Sequence, residues 1–387
     1  MKKICYILAA LAISGVLSGC SGNQPAAEAS KALPTETAAG SSAAESTVAA
    51  FTEAAGDTAN APAPDAITIP DPSAADTASI VPEDVTVRIG SLKGPTSMGL
   101  VWLMEQSKKG AAGNQYEFTM VTAADELLAK VASGELDIAL IPANVASVLY
   151  NKTQGKIAVI DINTLGVLDI VAADDSIQSI ADLKGRTVYM TGKGTTPDYV
   201  FRYLMSGNGL SEADLTLEFK SEPTEVAALL KEQPDAIGLL PQPFVTAACA
   251  QNESLKIVLD LTEEWEKIQS DSKSRLVTGV TVVRRPFLEE NPNAVALFLA
   301  EHQASAAFTA SNPDAAAELI ADLGIIEKAP IAKKSLPYCN ITCLTGEEMK
   351  DALSGYLQVL YEQDPASVGG KLPEDDFYYY ESSALRR

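Results

Sequence analysis

Two stretches of this chain follow one plan at one spacing, and that limits its folds more than any other feature. Lys93-Gly94-Pro95-Thr96 opens the first stretch and Lys193-Gly194-Thr195-Thr196 the second. From Thr96 to Pro142 is 46 positions, and from Thr195 to Pro241 is again 46. The first copy reads as strands over 85–92, 116–121 and 137–142, with helices from the 93–97 loop to about Ser107, over 124–133 and from Ala143 or Asn144, and a further strand at 156–162. The second repeats it with strands over 186–191, 215–219, 235–241 and 256–261 and helices over 196–206, 224–231 and from Pro243. Strand–helix alternation of this kind predicts an α/β fold of mostly parallel sheets flanked by helices. Recurrence at a fixed interval predicts two copies of one unit.

In such sheets ligands bind beyond the carboxyl ends of the strands. That edge carries the Lys-Gly-x-Thr loop and the proline-stopped strand in each copy. The second loop shows why it suits a ligand. Thr187 to Met190 is a short apolar strand, Gly192 and Gly194 break it, Thr195 or Thr196 can cap a helix, and Pro197 suits its first turn. Backbone N–H groups and the positive end of a helix dipole would then face outward. This is not a P-loop, because Thr187 stands where the first glycine is needed and Gly194 replaces the Ser or Thr. The two loops are expected to face each other across a cleft.

Two apolar strands, 166–173 and 277–283, flank the second copy and are the natural hinge strands between lobes. The expected division is lobe 1 over 83–171 and 279–387, with lobe 2 inserted over 172–278. Helices over 292–311, 314–323 and 346–361 should pack back on the first lobe, ahead of a turn-rich tail from Gly369.

The chain starts differently. Lys2 and Lys3 precede an apolar run from Ile4 to Val16 that is too short to span a bilayer, and Leu17-Ser18-Gly19-Cys20 follows. This resembles a bacterial lipobox, which implies a signal peptide over 1–19 and lipid on Cys20, the mature N-terminus. Residues 20–82 are rich in Ala, Ser, Thr, Pro and acidic side chains, with Phe51 the one aromatic. Such a segment buries too little apolar surface to offset chain entropy. It reads as a disordered tether, about 45 Å in root-mean-square span.

Charge excludes some partners. The chain has 29 basic and 51 acidic residues; without Lys2 and Lys3 that becomes 27 against 51, or −24. Nucleic acid and anionic membrane surfaces are poor partners for such a chain, although a local dipole or lysine can still hold an anion. Cys339 and Cys343 could close a small disulfide or stay as free thiols. Four good zinc ligands are lacking in the sequence pattern, and His302, the one histidine, reads as structural. No metal or cofactor is expected.

With Ile180-Ala-Asp-Leu-Lys-Gly-Arg-Thr-Val188, the Gly192–Pro197 loop, Gln242-Pro243-Phe244 and the 292–311 helix followed by Asn312-Pro313, residues 85–378 resemble the periplasmic binding proteins of ABC importers. The branch is the nitrate/sulfonate/taurine and thiamine-precursor one, with the type II fold. The resemblance implies two lobes joined by two hinge strands and a small-molecule solute held between them. It implies delivery to an ABC permease and its ATPase, a monomer, and a lipid anchor on the extracytoplasmic side of the cell membrane. By position it implies ligand contacts from Gly94, Pro95, Thr96, Ser97 and Met98, from Pro142 to Asn144, from Asn163 and Thr164, from Gly194, Thr195 and Thr196, and from Gln242. Lys93 and Lys193 would hold an anion such as nitrate or a sulfonate. Trp102, Tyr189, Tyr199 and Phe244 would instead stack on a pyrimidine or vitamin precursor, although Trp102 sits in an apolar helix run that suits core. No catalytic pair stands out, so an enzyme is not expected. The alternatives are an enzyme of the same fold, like the menaquinone-pathway lyases and synthases, and a lipoprotein sensor without transport.

Overall fold

The computed structural model describes residues 80–270 and 272–380. The expected signal peptide, Cys20 and nearly all of the expected tether lie outside them. Eleven strands occur among the described residues: β1 (Thr86–Leu92), β2 (Gln115–Val121), β3 (Ile138–Pro142), β4 (Ile157–Leu165), β5 (Leu168–Ala172), β6 (Thr187–Met190), β7 (Thr216–Phe219), β8 (Ile237–Pro241), β9 (Lys256–Asp260), β10 (Val277–Arg284) and β11 (Ile341–Leu344).

They form two sheets of the same design. The first has the order β11-β4-β10-β3-β1-β2 and the second β7-β6-β8-β5-β9. β1 pairs parallel with β2 and β3, as β6 does with β7 and β8. β10 lies antiparallel between β3 and β4, as β5 does between β8 and β9. The duplication read from the two 46-residue spacings is thus a duplication of sheet topology. Strand direction is mixed in a definite way. Each sheet has four strands running one way and one antiparallel strand in its interior, and the first adds β11 at its edge.

The antiparallel strands are the ones that come off the crossings. β5 belongs to the second sheet and β10 to the first. The chain leaves the first sheet after Leu165, joins the second at Leu168, and is back in the first from Val277. A strand arriving from the other lobe finds unpaired edges on two neighbours and hydrogen-bonds to both at once, so the crossing ends where that pairing begins. Gly166 has no room for a side chain: a Cβ there would meet Thr262 Oγ1 and lie 2.8 Å from Leu276 Cδ2.

Helices cover the sheets because their apolar faces need burial. Ala124–Ser133 buries Leu127 and Val131, and Thr196–Gly207 buries Val200, Phe201, Leu204 and Met205. One apolar core runs through both lobes. It joins Trp265 of the second lobe to Tyr356 on the Gly346–Gln363 helix of the first, at 5.8 Å between ring centroids. Four elements escaped the sequence pattern: the helices Leu261–Ile268, Arg285–Glu290 and Ala329–Ser335, and β11. Each is eight residues or shorter, too brief to display a full period. The helix expected from 93–97 to Ser107 is interrupted: Pro95–Met98 is one turn, and Val101–Lys108 follows Gly99 and Leu100. No helix among the described residues is long and apolar enough to cross a membrane.

Candidate functional site

The ends of β3, β6 and β8 come together at the gap between the lobes. Thr196, at the start of the helix after β6, donates its hydroxyl to Asn144 Oδ1 across the gap at 3.3 Å. Asn144 is held from behind, its Nδ2 donating to the Ser367 carbonyl at 3.3 Å. Gln242, just past β8, donates its backbone N–H to the Val167 carbonyl of the crossing at 2.9 Å. Asn340 steadies the same crossing through Nδ2 to the Gly166 carbonyl at 2.6 Å. Beside Thr196, Tyr199 Oη donates to Asp364 Oδ2 at 2.8 Å.

On the first lobe the gap has a buried polar floor. Thr96 packs its methyl against Gly279 of β10, where a Cβ would lie 2.6 Å from Thr96 Cγ2 and also meet Asn163 Oδ1. Asn163 donates to Thr281 Oγ1 at 3.2 Å and accepts from the Thr164 hydroxyl at 2.9 Å. The Thr96 hydroxyl donates to the Leu92 carbonyl at 3.0 Å, which closes its own turn. Ser97 is fully buried, donating to the same carbonyl and lying 2.8 Å from Ser91 Oγ. Met98 sits in apolar core with Val101 and Phe308, so it makes no part of a polar ligand surface. Lys93 is exposed, beside half-buried Gly94 and Pro95.

The second loop departs from the expected geometry. Gly194 N–H does not stand free: it donates to Asp198 Oδ2 at 2.8 Å. Asp198 is buried and also bonds Arg202 at 2.5 Å. A carboxylate of the chain itself thus occupies the place where a helix start would hold an external anion. Thr195 is exposed and donates its hydroxyl to the Gly192 carbonyl at 2.6 Å. Lys193 lies over the Phe219 ring, 5.7 Å from its centroid. Among the described residues no hydrogen bond joins the two Lys-Gly-x-Thr loops. Thr196 is the loop residue that reaches the other lobe. The six arginines among the described residues are all paired with carboxylates.

Asp169 is a feature that sequence reasoning missed. It is the second residue of β5, opposite Leu240 at the carboxyl end of β8. Gln242 Nε2 donates to its Oδ2 at 2.9 Å, and Gln242 Oε1 accepts from the Thr246 hydroxyl at 2.8 Å. Burial, with Asp260 adding to it, pushes the Asp169 carboxyl up to about 7 against the pull of Gln242. The signal was present: one acid interrupts the apolar run from Gly166 to Ala173. Gln242 is thereby oriented by Asp169 and Thr246.

The aromatic candidates are all engaged with other side chains of the protein. Trp102 stacks on Phe308 at 4.1 Å, and Tyr189 and Phe244 pack on the Val226–Leu230 core. Tyr199 holds Asp364 across the gap. Of the two readings left open for Cys339 and Cys343, a disulfide or free thiols, the structure has free thiols. Asn340 between them adopts positive φ just before β11; Cys339 lies in the Met98–Phe308 core and Cys343 faces His302.

Residues 126–316 match the family described as NMT1/THI5 like. A Brucella abortus protein provisionally named a binding protein is 24% identical over 255 residues, covering 65% of this chain and 75% of that protein. Among solved structures, an ABC transporter protein from Parabacteroides distasonis is 24% identical with a TM-score of 0.66, over 77% of this chain and all of that one. The periplasmic aliphatic sulphonate binding protein SsuA from Escherichia coli is 18% identical with a TM-score of 0.61, over 77% and 92%. These two structures have the same two-sheet α/β fold, that of the type II periplasmic binding proteins.

Proposed function

We propose that this protein captures a small solute between its lobes and hands it to an ABC permease driven by an ATPase. The observation that carries the reading is the pair Asn144–Thr196, which meets across the gap above a buried polar floor. Residues from both lobes that hydrogen-bond one another can also hydrogen-bond one ligand, and binding then favours closure. The NMT1/THI5-like match and the binding-protein names of its relatives support the same reading over an enzyme or a sensor without transport.

The site proposed for the solute is lined by Asn144, Thr196, Thr96, Thr164, Gln242 and Asp169. This lining suits a solute that both donates and accepts hydrogen bonds, such as a pyrimidine or vitamin precursor. A simple anion would depend on Lys93 and Lys193, since Asp198 takes the Gly194 N–H and the arginines are paired. A thermal-shift screen of pyrimidines, vitamins, sulfonates and nitrate tests this, because a bound solute stabilises by mass action. Asn144→Ala should weaken the binding of an active compound by several-fold to tens-fold, the worth of one or two hydrogen bonds. Equal affinity in wild type and Asn144→Ala would remove the gap as the site.

The proposal extends to the anchor. The Leu17–Cys20 context supports a lipoprotein, tethered outside the cytoplasm by acyl chains on Cys20 and working as a monomer. Two or more chains anchor stably where one does not. Cys20→Ala should release the protein from the membrane fraction; retention after a high-salt wash would place the anchor elsewhere.

A further inference from the structure

Beneath the gap, three side chains with metal-ligating atoms converge from three elements. Asp161 comes from β4, Cys343 from β11 and His302 from the Pro292–Ser311 helix. His302 Nδ1 lies 3.1 Å from Asp161 Oδ2 and 3.9 Å from Cys343 Sγ. The three ligand atoms are all within 4.8 Å of one another, and Asp161 and His302 are fully buried. One tetrahedral ion with ordinary bonds to nitrogen, oxygen and sulfur sets such atoms roughly 3.4–3.6 Å apart, so the observed spacing brackets what one ion needs.

We propose that Asp161, His302 and Cys343 form a site for one borderline divalent transition-metal ion of the zinc class. The donor set selects this class: thiolate and imidazole disfavour magnesium and calcium, which take oxygen ligands. Charge supports it as well. A divalent ion with one thiolate and one carboxylate is neutral, which a site without solvent requires. The supporting shell is in place: the Thr281 hydroxyl donates to Asp161 Oδ1 at 2.8 Å and fixes the carboxylate. His302 Nε2 is buried without a protein partner, so it can carry the ring proton when Nδ1 turns its lone pair to the ion. Proton balance follows. The ion displaces the Cys343 thiol proton to solvent, while the Nδ1 proton moves to Nε2. Because binding releases the thiol proton, uptake should strengthen as pH rises. The ion would tie edge strand β11 and the helix to β4, two residues before Asn163 of the gap floor.

Cobalt(II) added to the full chain is the probe, since a thiolate bound to cobalt absorbs in the near ultraviolet. One equivalent should produce that charge-transfer band and raise the melting temperature. Cys343→Ser should abolish the band. The double variant Cys249→Ser, Cys339→Ser should keep it. Asp161→Asn, which retains the shape of the site, should weaken uptake at least tenfold. Absence of the band in wild type would overturn the site, as would a band that survives Cys343→Ser. If Cys343→Ser fails to fold by circular dichroism, the double variant and Asp161→Asn decide: no band in the first, or unchanged uptake in the second, overturns the site.

Discussion

Trp265→Ala is expected to destabilise the protein by about 3–5 kcal/mol, the cost of removing a large aromatic side chain from a closed core. Trp265 is fully buried in the second lobe. It packs 4.8 Å from the Tyr203 ring of its own lobe and 5.8 Å from the Tyr356 ring of the first. Around it run Lys273–Asp351 at 2.6 Å and Tyr199–Asp364 at 2.8 Å, both joining the lobes near the surface. An exposed ion pair such as Lys273–Asp351 and a single hydrogen bond such as Tyr199–Asp364 are worth little by comparison. The shared apolar core is therefore what seats one lobe on the other. Urea unfolding measures the loss. A cost below ~1 kcal/mol would mean that the lobes do not share a core at Trp265.

Asp169→Asn is expected to stabilise the protein at pH 8 and to leave it nearly unchanged at pH 4. The wild-type carboxyl titrates at about 7 in the folded protein and at roughly 3.9 in an unfolded chain. Between those values the folded state holds a proton that the unfolded state has released. Wild-type stability therefore falls as pH rises through this window, and the loss is complete above the folded value. A shift of that size corresponds to up to ~4 kcal/mol. Asparagine removes the charge and can still accept from Gln242 Nε2. The gain should thus grow from pH 4 to pH 8. A difference independent of pH would show that Asp169 does not carry its charge into a buried site.

Much of the fold was legible because its signals are local. Strands β1, β3, β6 and β8 are apolar runs ended by glycine loops or proline, and the copies share one spacing. The order of strands within each sheet was not legible, because β5 and β10 look alike as apolar strands whichever sheet they join. Only pairing decides that Leu168–Ala172 lies between β8 and β9. The site was legible in part. Asn144, Thr164 and Gln242 stand at the gap or its floor, and their contact with a solute is part of the proposal. The loops were read as free donors because sequence does not show where a side chain four residues on will fold back, as Asp198 does to Gly194. The Asp161–His302–Cys343 convergence spans 182 positions from Asp161 to Cys343 and rests on β11, a strand of four residues. No local pattern could reveal it.

Closure on a solute is the central claim, and small-angle X-ray scattering tests it most directly. The measurement compares the protein with and without a compound that raises its melting temperature in the screen. Without solute the lobes should separate at Asn144 and Thr196 and swing about Gly166–Val167 and the segment before Val277. A saturating compound should reduce the radius of gyration, and Asn144→Ala should need a higher concentration to reach the same end point. An unchanged radius of gyration at saturation, in wild type and variant alike, would contradict a hinged clamp.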